Sequence, residues 1–351
     1  MAVTSFFSAF IVYKHISFIS FTGILQNLPK NFTTVLSVVK FCSILCEIIT
    51  ISGGIHMSIV SDIEKLKKEK NAVILAHYYV DEDVQDVADY IGDSFYLSKV
   101  ATKVSQDRII FAGVEFMGES AKILNPKKRV FMPDMNADCP MAHMADKDEI
   151  LALREKYDDI AVVCYINSTA ELKKYSDVCV TSSNAVKIVK NLPNKNIFFI
   201  PDRNLGSYVA KQCPDKNFIF NNGCCPRHVV ITKDMVLKAK ELHPEARFED
   251  VLAFADYVGS TSGIIDYVVD TDADEYIIGT VDGVFNEIRK KAPDKKLYTV
   301  KPDQVCVNMK KVTLDKVLDV LENDTNEVFV DEELAQCALK PLNKMLELAA
   351  K

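Results

Sequence analysis

The sequence of 351 residues has no run of lysine and arginine with interleaved aromatic residues, and its formal net charge is −7. Because a nucleic-acid-binding domain presents a basic face, these features exclude that class of function. The 10 cysteines show no short, regular spacing. The chain is also larger than the secreted domains that depend on disulfides, so the cysteines do not form a disulfide framework of that kind.

Residues 1–56 also lack an uninterrupted apolar stretch of the roughly 20 residues that a membrane span needs. Four charged residues interrupt this segment, namely Lys14, Lys30, Lys40 and Glu47. A membrane anchor is therefore not favoured, and no compact apolar segment with a small-residue cleavage site supports a secretory signal. We predict that residues 1–56 are a non-native extension from an incorrectly assigned start, with Met57 as the natural first residue.

From about residue 72 onward, short β-branched runs alternate with helical periodicity, which is typical of parallel α/β units. The same order of strands, helices and a closing cysteine occurs three times. The three units run from VILAHYY (73–79) to Cys139, from AVVCYINST (161–169) to Cys225, and from DYVGSTSG (256–263) to Cys306. Repetition on this scale predicts three similar αβα three-layer subdomains, with short parallel sheets, around a pseudo-threefold axis.

The repeat assigns residues 57–145 to the first subdomain, 146–228 to the second and 229–330 to the third. The C-terminal helix, residues 331–350, is a candidate to pack on the first subdomain.

The third subdomain departs from the pattern because it apparently lacks its first strand near residues 243–249. The first two subdomains each begin with an apolar strand, whereas this segment reads as one helix joined to another. The loss of a central parallel strand would leave buried N–H and C=O groups of its neighbour unpaired. Three explanations stay open: residues 235–250 refold to fill the gap, the protein is impaired, or the recorded sequence contains an error.

In each repeat one cysteine follows the last strand at an equivalent place. These three cysteines are Cys139, Cys225 and Cys306. Ligands of parallel sheets gather at the carboxyl ends of the strands, so these ends should converge. The repeat therefore predicts three thiolates at one centre. Their wide separation in sequence matches neither a zinc finger nor a CxxC redox pair.

Small hydroxyl residues and glycine occur where strands turn into helices, in GDS (92–94), TSSN (181–184) and GSTSG (259–263). Such turns present backbone N–H groups and the positive end of a helix dipole to anions. Ordinary N-capping is the alternative interpretation of each turn. Three turns that face one centre favour a substrate with several anionic groups.

Taken together, the motifs resemble those of the quinolinate synthase family over residues 57–351. The resemblance is carried by AHYY (76–79), GDS (92–94), FMGESAKIL (116–124), CPMA (139–142), YINST (165–169), TSSNA (181–185), PDRNLG (201–206), NGCCPRH (222–228), DYVGSTSG (256–263) and VCVNMKK (305–311). It implies three αβα subdomains and a [4Fe-4S] cluster on Cys139, Cys225 and Cys306. A swap of Cys225 for the adjacent Cys224 as a ligand stays open.

The resemblance also implies a reaction: condensation of iminoaspartate with dihydroxyacetone phosphate to quinolinate, phosphate and water, in the de novo biosynthesis of NAD. Three thiolates leave one iron of the cluster without a protein ligand, and such an iron can act as a Lewis acid. The expected location is the cytoplasm, and the expected functional partner is an L-aspartate oxidase that supplies iminoaspartate. The alternative is a catalytically impaired [4Fe-4S] homologue, because of the deletion in the third subdomain.

Matching of positions implies that His77, Tyr79 and His228 are catalytic, since an imidazole or a phenol can move protons or hydrogen-bond to hydroxyl groups. The implied substrate-binding residues are Ser94, Tyr165, Asn167, Ser182, Ser260 and Thr261. In the family, a His-Pro-Glu motif ends the first strand of the third subdomain and enters the active site. This chain has one such motif, with His243 and Glu245, directly after a helix. Whether it is the catalytic copy or a helix-end copy stays open.

Overall fold

The computed structural model describes residues 57–243, 247–249 and 255–350, and for residues 247–249 it describes the backbone alone. The prediction for residues 1–56 therefore lies outside the described residues. The described strands form three parallel sheets flanked by helices. This arrangement confirms the predicted α/β class with repeated αβα units.

The first sheet has the strand order β2-β1-β3-β4. Its strands are β1 (Ala72–His77), β2 (Tyr90–Gly92), β3 (Arg108–Ala112) and β4 (Arg129–Phe131). The accompanying helices are α1 (57–69), α2 (Glu82–Asp86), α3 (Ser94–Ala101) and α4 (Glu115–Leu124). All six residues of β1 are buried. The apolar run of β1 is that of a parallel strand with both faces covered.

The second sheet repeats this topology, with the strand order β6-β5-β7-β8. Its strands are β5 (Ile160–Tyr165), β6 (Val178–Val180), β7 (Asn196–Ile200) and β8 (Asn217–Phe220). Its helices are α5 (Lys147–Lys156), α6 (Ala170–Lys174), α7 (Ala185–Lys190) and α8 (Arg203–Gln212). In both sheets the first strand lies between the second and the third. This shared order is the structural counterpart of the repeat in the sequence.

The third sheet has the order β11-β10-β9. Its strands are β9 (Arg247–Glu249), β10 (Glu275–Ile278) and β11 (Lys296–Thr299). Its helices are α9 (Lys233–Leu242), α10 (Thr261–Asp270) and α11 (Val284–Lys291). Strand β9 pairs in parallel with β10, as β1 pairs with β3 in the first sheet. It therefore occupies the position of the strand that the sequence reading found missing.

This position is occupied over three residues, and the prediction that the third subdomain lacks a full first strand stays a prediction. Strand β9 has three residues, whereas β1 has six. Its pairing with Tyr276, Ile277 and Ile278 gives this edge of β10 hydrogen-bonding partners that it would otherwise lack. The three explanations for the shortened segment stay open. The boundaries of the three subdomains stay predictions.

Two helices complete the described chain, α12 (Leu314–Asn323) and α13 (Glu332–Ala350). Helix α13 buries Leu342, Met345 and Leu348 on its apolar face. It packs mainly on α6 and β6 of the second repeat and also on α4 of the first. The first subdomain, which we predicted as its partner, therefore supplies the smaller share of its contacts. Within the described part of the chain, no helix combines the length and the apolar character that crossing a membrane would require.

Candidate active site

A cavity of about 380 Å³ lies where the carboxyl ends of strands from all three sheets meet. Each repeat contributes side chains that follow its strands directly. The predicted site residues in its lining are His77, Tyr79, Ser94, Cys139, Tyr165, Asn167, Ser182, Cys225, His228, Thr261 and Cys306. A volume of this size suits a small ligand. The geometry thus brings together most of the predicted site residues, whose individual roles stay predictions.

The three cysteines of the lining follow the last strand of each sheet: Cys139 follows β4, Cys225 follows β8 and Cys306 follows β11. Burial is the main cause that raises the pKa of Cys139 to about 12, and the neighbouring thiols Cys225 and Cys306 contribute to this increase. Burial is also the main cause of the raised pKa of Cys306. The three thiols therefore lie close enough to influence one another's ionisation.

Cys225 differs from the other two cysteines. Burial acts to raise the pKa of its thiol, but hydrogen bonds from the His228 side chain and from the backbone N–H groups of Arg227 and His228 lower it overall. Hydrogen bonds to a thiolate favour the charged form. The local structure thus favours the thiolate form of Cys225 more than that of the other two cysteines.

The donor set of the cavity fits an iron–sulfur cluster better than a single metal ion. No group of three His, Cys, Asp or Glu side chains within the described ranges is placed to hold one ion. One zinc ion needs all of its sulfur ligands at about 2.3 Å. In a cluster each thiolate binds a different iron atom, so the ligands can stand farther apart. Cys139, Cys225 and Cys306 are half-buried thiols that line one cavity, so each could bind a separate iron atom of such a cluster.

His77 ends β1 and is buried, with 6% of its surface exposed. Its Nδ1 atom accepts a hydrogen bond of 3.1 Å from the backbone N–H of Tyr79. In the neutral ring the proton is therefore on Nε2. Burial lowers the pKa of His77 to about 4, although the charge of Asp93 acts in the opposite direction. Near neutral pH the side chain is an uncharged imidazole that can donate from Nε2.

The lowered pKa of His77 makes the stability of the fold depend on pH. Between pH 6.5 and about 4 the unfolded chain binds a proton at this residue that the folded chain does not. We therefore expect His77 to lower the free energy of unfolding by about 3 kcal/mol as the pH falls through that window. Urea denaturation of wild type and His77→Gln at several pH values measures how the free energy of unfolding depends on pH. His143→Gln is the control, because the side chain of His143 is exposed. The prediction is wrong if the free energy of unfolding changes with pH equally in wild type and His77→Gln.

A hydrogen-bond network connects the predicted catalytic residues Tyr79 and His228. The Tyr79 hydroxyl lies 3.0 Å from Oγ1 of Thr261 and 2.7 Å from Oγ1 of Thr280. Nε2 of His228 lies 3.2 Å from the same Oγ1 of Thr280. Thr280 is buried directly after β10, and sequence reasoning did not select it. The network therefore includes residues from the first and third repeats and from the loop after β8.

Neutral polar side chains from the first two repeats line the same cavity. Tyr165 ends β5 and Asn167 lies in the following turn, whereas Ser94 begins α3. Burial is the main cause that raises the pKa of Tyr165 well above its usual value, so its phenol stays protonated. The side-chain oxygen of Asn167 is buried and has no hydrogen-bond partner among the described residues. A ligand with an N–H or O–H group would satisfy it.

Three predicted site residues are not part of the described lining of the cavity. Ser260 is the N-cap of α10, and its hydroxyl accepts a hydrogen bond of 3.1 Å from the backbone N–H of Gly263. This is the capping alternative that the sequence left open. His243 is the C-cap of α9 and stacks on the ring of Tyr298, with ring centroids 3.5 Å apart. Glu245 lies outside the described residues.

Sequence reasoning missed other lining residues, notably Asp93, Asp202 and Arg227. Asp93 and Asp202 both cap helices, and Asp93 also accepts a hydrogen bond of 2.6 Å from Ser262 of the third repeat. Among the lysine and arginine residues of the described part of the chain, Arg227 is the one that lines the cavity. A signal for Arg227 was present, because it lies between the predicted ligand Cys225 and the predicted catalytic residue His228.

Comparison with known proteins places this site in a family. The profile of the family described as Quinolinate synthetase A protein matches residues 61–347. The chain belongs to this family. It is 55% identical to the quinolinate synthase of Fusobacterium nucleatum subsp. nucleatum over 294 residues, which cover 82% of this chain and 98% of that protein.

Two further quinolinate synthases are similar over the same share of the chain. The protein of Caldicellulosiruptor saccharolyticus is 50% identical, and that of Clostridioides difficile is 46% identical. Each match spans 295 residues, or 82% of this chain and 97% of the relative. The resemblance that the motifs indicated is thereby confirmed, and the chain is an enzyme of the quinolinate synthase type. In this quinolinate synthetase A family member, the cavity between the three repeats is the candidate active site.

Proposed function

We propose that this protein condenses iminoaspartate with dihydroxyacetone phosphate to form quinolinate, phosphate and water, as a step in the de novo biosynthesis of NAD. One observation carries the proposal: each repeat contributes one cysteine to a cavity that His77, Tyr79 and His228 also line. Such a cavity combines a metal-binding donor set with groups that exchange or donate protons. The cytoplasm is the proposed location.

Both proposed substrates are anionic, and the cavity contains groups that can bind them. The guanidinium of Arg227 offers positive charge and a planar set of donors for phosphate or carboxylate. The hydroxyls of Ser94, Ser182 and Thr261 can donate further hydrogen bonds. The unsatisfied oxygen of Asn167 can accept one from the nitrogen of the diacid. Three kinds of polar group thus support a small substrate with several charges.

Cys139, Cys225 and Cys306 would hold the proposed [4Fe-4S] cluster. When bound, the cluster supplies Lewis acidity at the iron that has no protein ligand, so that substrate oxygen atoms can leave more readily. Burial disfavours the thiolate forms of Cys139 and Cys306 in the free protein. Positively charged iron reverses that preference, because coordination removes the thiol proton.

The other lining residues would handle protons and hydroxyl groups. His77 is neutral and donates from Nε2, so it can hydrogen-bond to a substrate oxygen on which negative charge develops. Tyr79 and His228 share the hydroxyl of Thr280 and can act on the same substrate from two sides. Enclosure between three repeats would also limit water, to which an imine is sensitive. An L-aspartate oxidase is the proposed source of the labile iminoaspartate.

The alternative function is that of a catalytically impaired iron–sulfur homologue. A specific observation favours this alternative: β9, which follows the His-Pro-Glu motif in the chain, has only three residues. His243, from the same His-Pro-Glu motif, packs on Tyr298 and is absent from the described lining of the cavity. If catalysis requires this motif, turnover would be lost while the three cysteines remain.

An anaerobic assay of the full chain tests the proposal. The purified protein is expected to show the visible absorbance of an iron–sulfur cluster. With iminoaspartate generated in place by L-aspartate oxidase, and with dihydroxyacetone phosphate, we expect quinolinate and an equal amount of phosphate. A cluster without quinolinate would support the impaired alternative. If neither the cluster nor the product appears, the proposal is wrong.

A further inference from the structure

Arg227 brings a positive charge to the wall of the cavity at one edge of the second sheet. It follows β8 and lies in the turn where the backbone N–H of His228 donates to the carbonyl oxygen of Cys225 at 3.2 Å. The residue is half-buried. Among the described residues its guanidinium forms no hydrogen bond or ion pair. A cationic group that is partly removed from water without a counter-ion favours an anionic ligand.

The charge of Arg227 acts on residues of the third repeat. Burial raises the pKa of Cys306, and the charge of Arg227 is one of the influences that oppose this rise. The hydrogen bond from Lys301 is the main cause of the lowered pKa of Asp303, and Arg227 contributes to the same effect. The guanidinium therefore lies on the side of the cavity where the second repeat meets the loop that follows β11.

The strand order separates Arg227 from the neutral polar groups of its own repeat. Tyr165 ends β5, Asn167 lies in the turn after it and Ser182 follows β6, whereas Arg227 follows β8. In the order β6-β5-β7-β8, β8 is two positions from β5 and three from β6. Since neighbouring strands lie about 4.8 Å apart, β8 is roughly 10 to 14 Å from these two strands. The cavity thus has a neutral polar side and a cationic side.

The two proposed substrates carry different anionic groups. Iminoaspartate has two carboxylates and a nitrogen, and the unsatisfied oxygen of Asn167 suits an N–H group. Dihydroxyacetone phosphate has one phosphate, whose charge near neutral pH is about −1.5 to −2. A guanidinium binds phosphate through two parallel N–H···O bonds. The carboxylates of Asp93 and Asp202 also line the cavity, so the group with the larger negative charge gains most from Arg227.

We propose that Arg227 binds the phosphate of dihydroxyacetone phosphate and thereby selects a phosphorylated triose, while the diacid binds on the neutral polar side of the cavity. This proposal rests on the proposed function, in which these two molecules are the substrates. It deepens that function because it assigns one anionic group of one substrate to one side chain.

Calorimetry on the anaerobic, cluster-containing protein tests the proposal with two ligands that carry different anions. Dihydroxyacetone phosphate has a phosphate and no carboxylate, whereas quinolinate has two carboxylates and no phosphate. Arg227→Gln is expected to raise the Kd of dihydroxyacetone phosphate by roughly 10- to 100-fold, and to change the Kd of quinolinate by less than about threefold. In steady-state kinetics we expect a similar rise in the KM for dihydroxyacetone phosphate, with the KM for iminoaspartate changed by less than about threefold.

Two further variants serve as controls. Arg227→Lys keeps the charge but lacks the planar set of donors, so we expect the Kd of dihydroxyacetone phosphate to rise by only about three- to tenfold. Arg203→Gln removes the same group from an exposed position at the start of α8, where Arg203 donates to Oδ1 of Asn222 at 3.4 Å and is absent from the described lining of the cavity. We expect it to keep both dissociation constants within about twofold of wild type. Iron content and thermal denaturation check that each variant folds and carries the cluster.

Several outcomes would overturn the proposal. Weaker binding of quinolinate alone in Arg227→Gln would mean that Arg227 binds a carboxylate. Equal losses for both ligands, an unchanged Kd of dihydroxyacetone phosphate, the same loss in Arg203→Gln, or a wild type that does not bind dihydroxyacetone phosphate would also count against it. If Arg227→Gln does not retain the cluster, an unchanged Kd in Arg227→Lys decides against the proposal and the intermediate rise supports it. Absence of quinolinate formation by wild type would instead refute the proposed function, and the binding comparison would still test the role of Arg227.

Discussion

Cys225→Ala is expected to lose the iron–sulfur cluster and all quinolinate formation, whereas Cys224→Ala is expected to keep both. Cys225 lines the cavity and receives hydrogen bonds from the His228 side chain and from two backbone N–H groups. Cys224 is absent from the described lining, although it is the neighbouring residue in the chain. Removal of one of three thiolates leaves a second iron atom without a protein ligand, and such a cluster is not retained.

Iron content, visible absorbance and quinolinate formation, all measured anaerobically, check this prediction. Cys306→Ala is expected to behave as Cys225→Ala does, because it follows the equivalent strand of the third sheet. Cys224→Ala is a matched control for Cys225→Ala, because the two substitutions remove the same atom from neighbouring residues. A full cluster in Cys225→Ala together with a loss in Cys224→Ala would mean that the ligand is the other cysteine.

Gly283→Ala is expected to lower kcat by about 100-fold without unfolding the protein. A Cβ atom on Gly283 would lie 2.8 Å from Cα of Tyr79 and closer still to the carbonyl oxygen of Tyr78. Both of these are backbone atoms, so the contact can be relieved only if the chain around Tyr79 or the start of α11 moves. The side chain of Gln85 donates to the carbonyl oxygens of both Tyr78 and Gly283 and holds the two segments together. A shift of about 1 Å in a catalytic group can cost about 10²-fold in rate.

Steady-state kinetics, with iron content as a check on integrity, measures the effect of Gly283→Ala. Gly118→Ala is the control, because its Cβ would lie 2.5 Å from the sulfur of Met132, at the flexible end of a side chain. Alanine is also favoured over glycine within a helix such as α4. We expect the control to keep a kcat within about threefold of wild type. An unchanged kcat in Gly283→Ala would show that Tyr79 tolerates the displacement or has no catalytic role.

The placement of the three cysteines is the part of the site that the sequence predicted best. Cys139, Cys225 and Cys306 were selected because each follows the last strand of a repeat, and the carboxyl ends of parallel strands face the same side of a sheet. His77 at the end of β1 and Tyr165 at the end of β5 were instead selected because their positions match site residues of the family that the motifs resemble. For the cysteines, the repeated order of strands and a closing cysteine was sufficient, whereas the other two residues needed the resemblance. The structure gathers all five around one cavity.

Features that depend on contacts between repeats could not be predicted in this way. Thr280 comes shortly after the apolar strand β10, but its connection to the site depends on two partners that are distant in sequence. Ser260 shows the reverse case, since a hydroxyl at a helix start can either bind a ligand or cap the helix, and packing decides which. Strand β9 was missed because Arg247–Glu249 is too short and too polar to show the pattern of a buried strand.

No single repeat forms the cavity, because each of the three contributes only part of its lining. A chain whose sheets have formed separately would have its full helical and strand content and still possess no site. The visible absorbance of a bound cluster would then report the final docking of the repeats. During denaturation we expect this absorbance to be lost before the far-ultraviolet circular dichroism of the backbone. Selection for activity in such an enzyme acts on the mutual arrangement of three similar bodies as strongly as on the residues that they present.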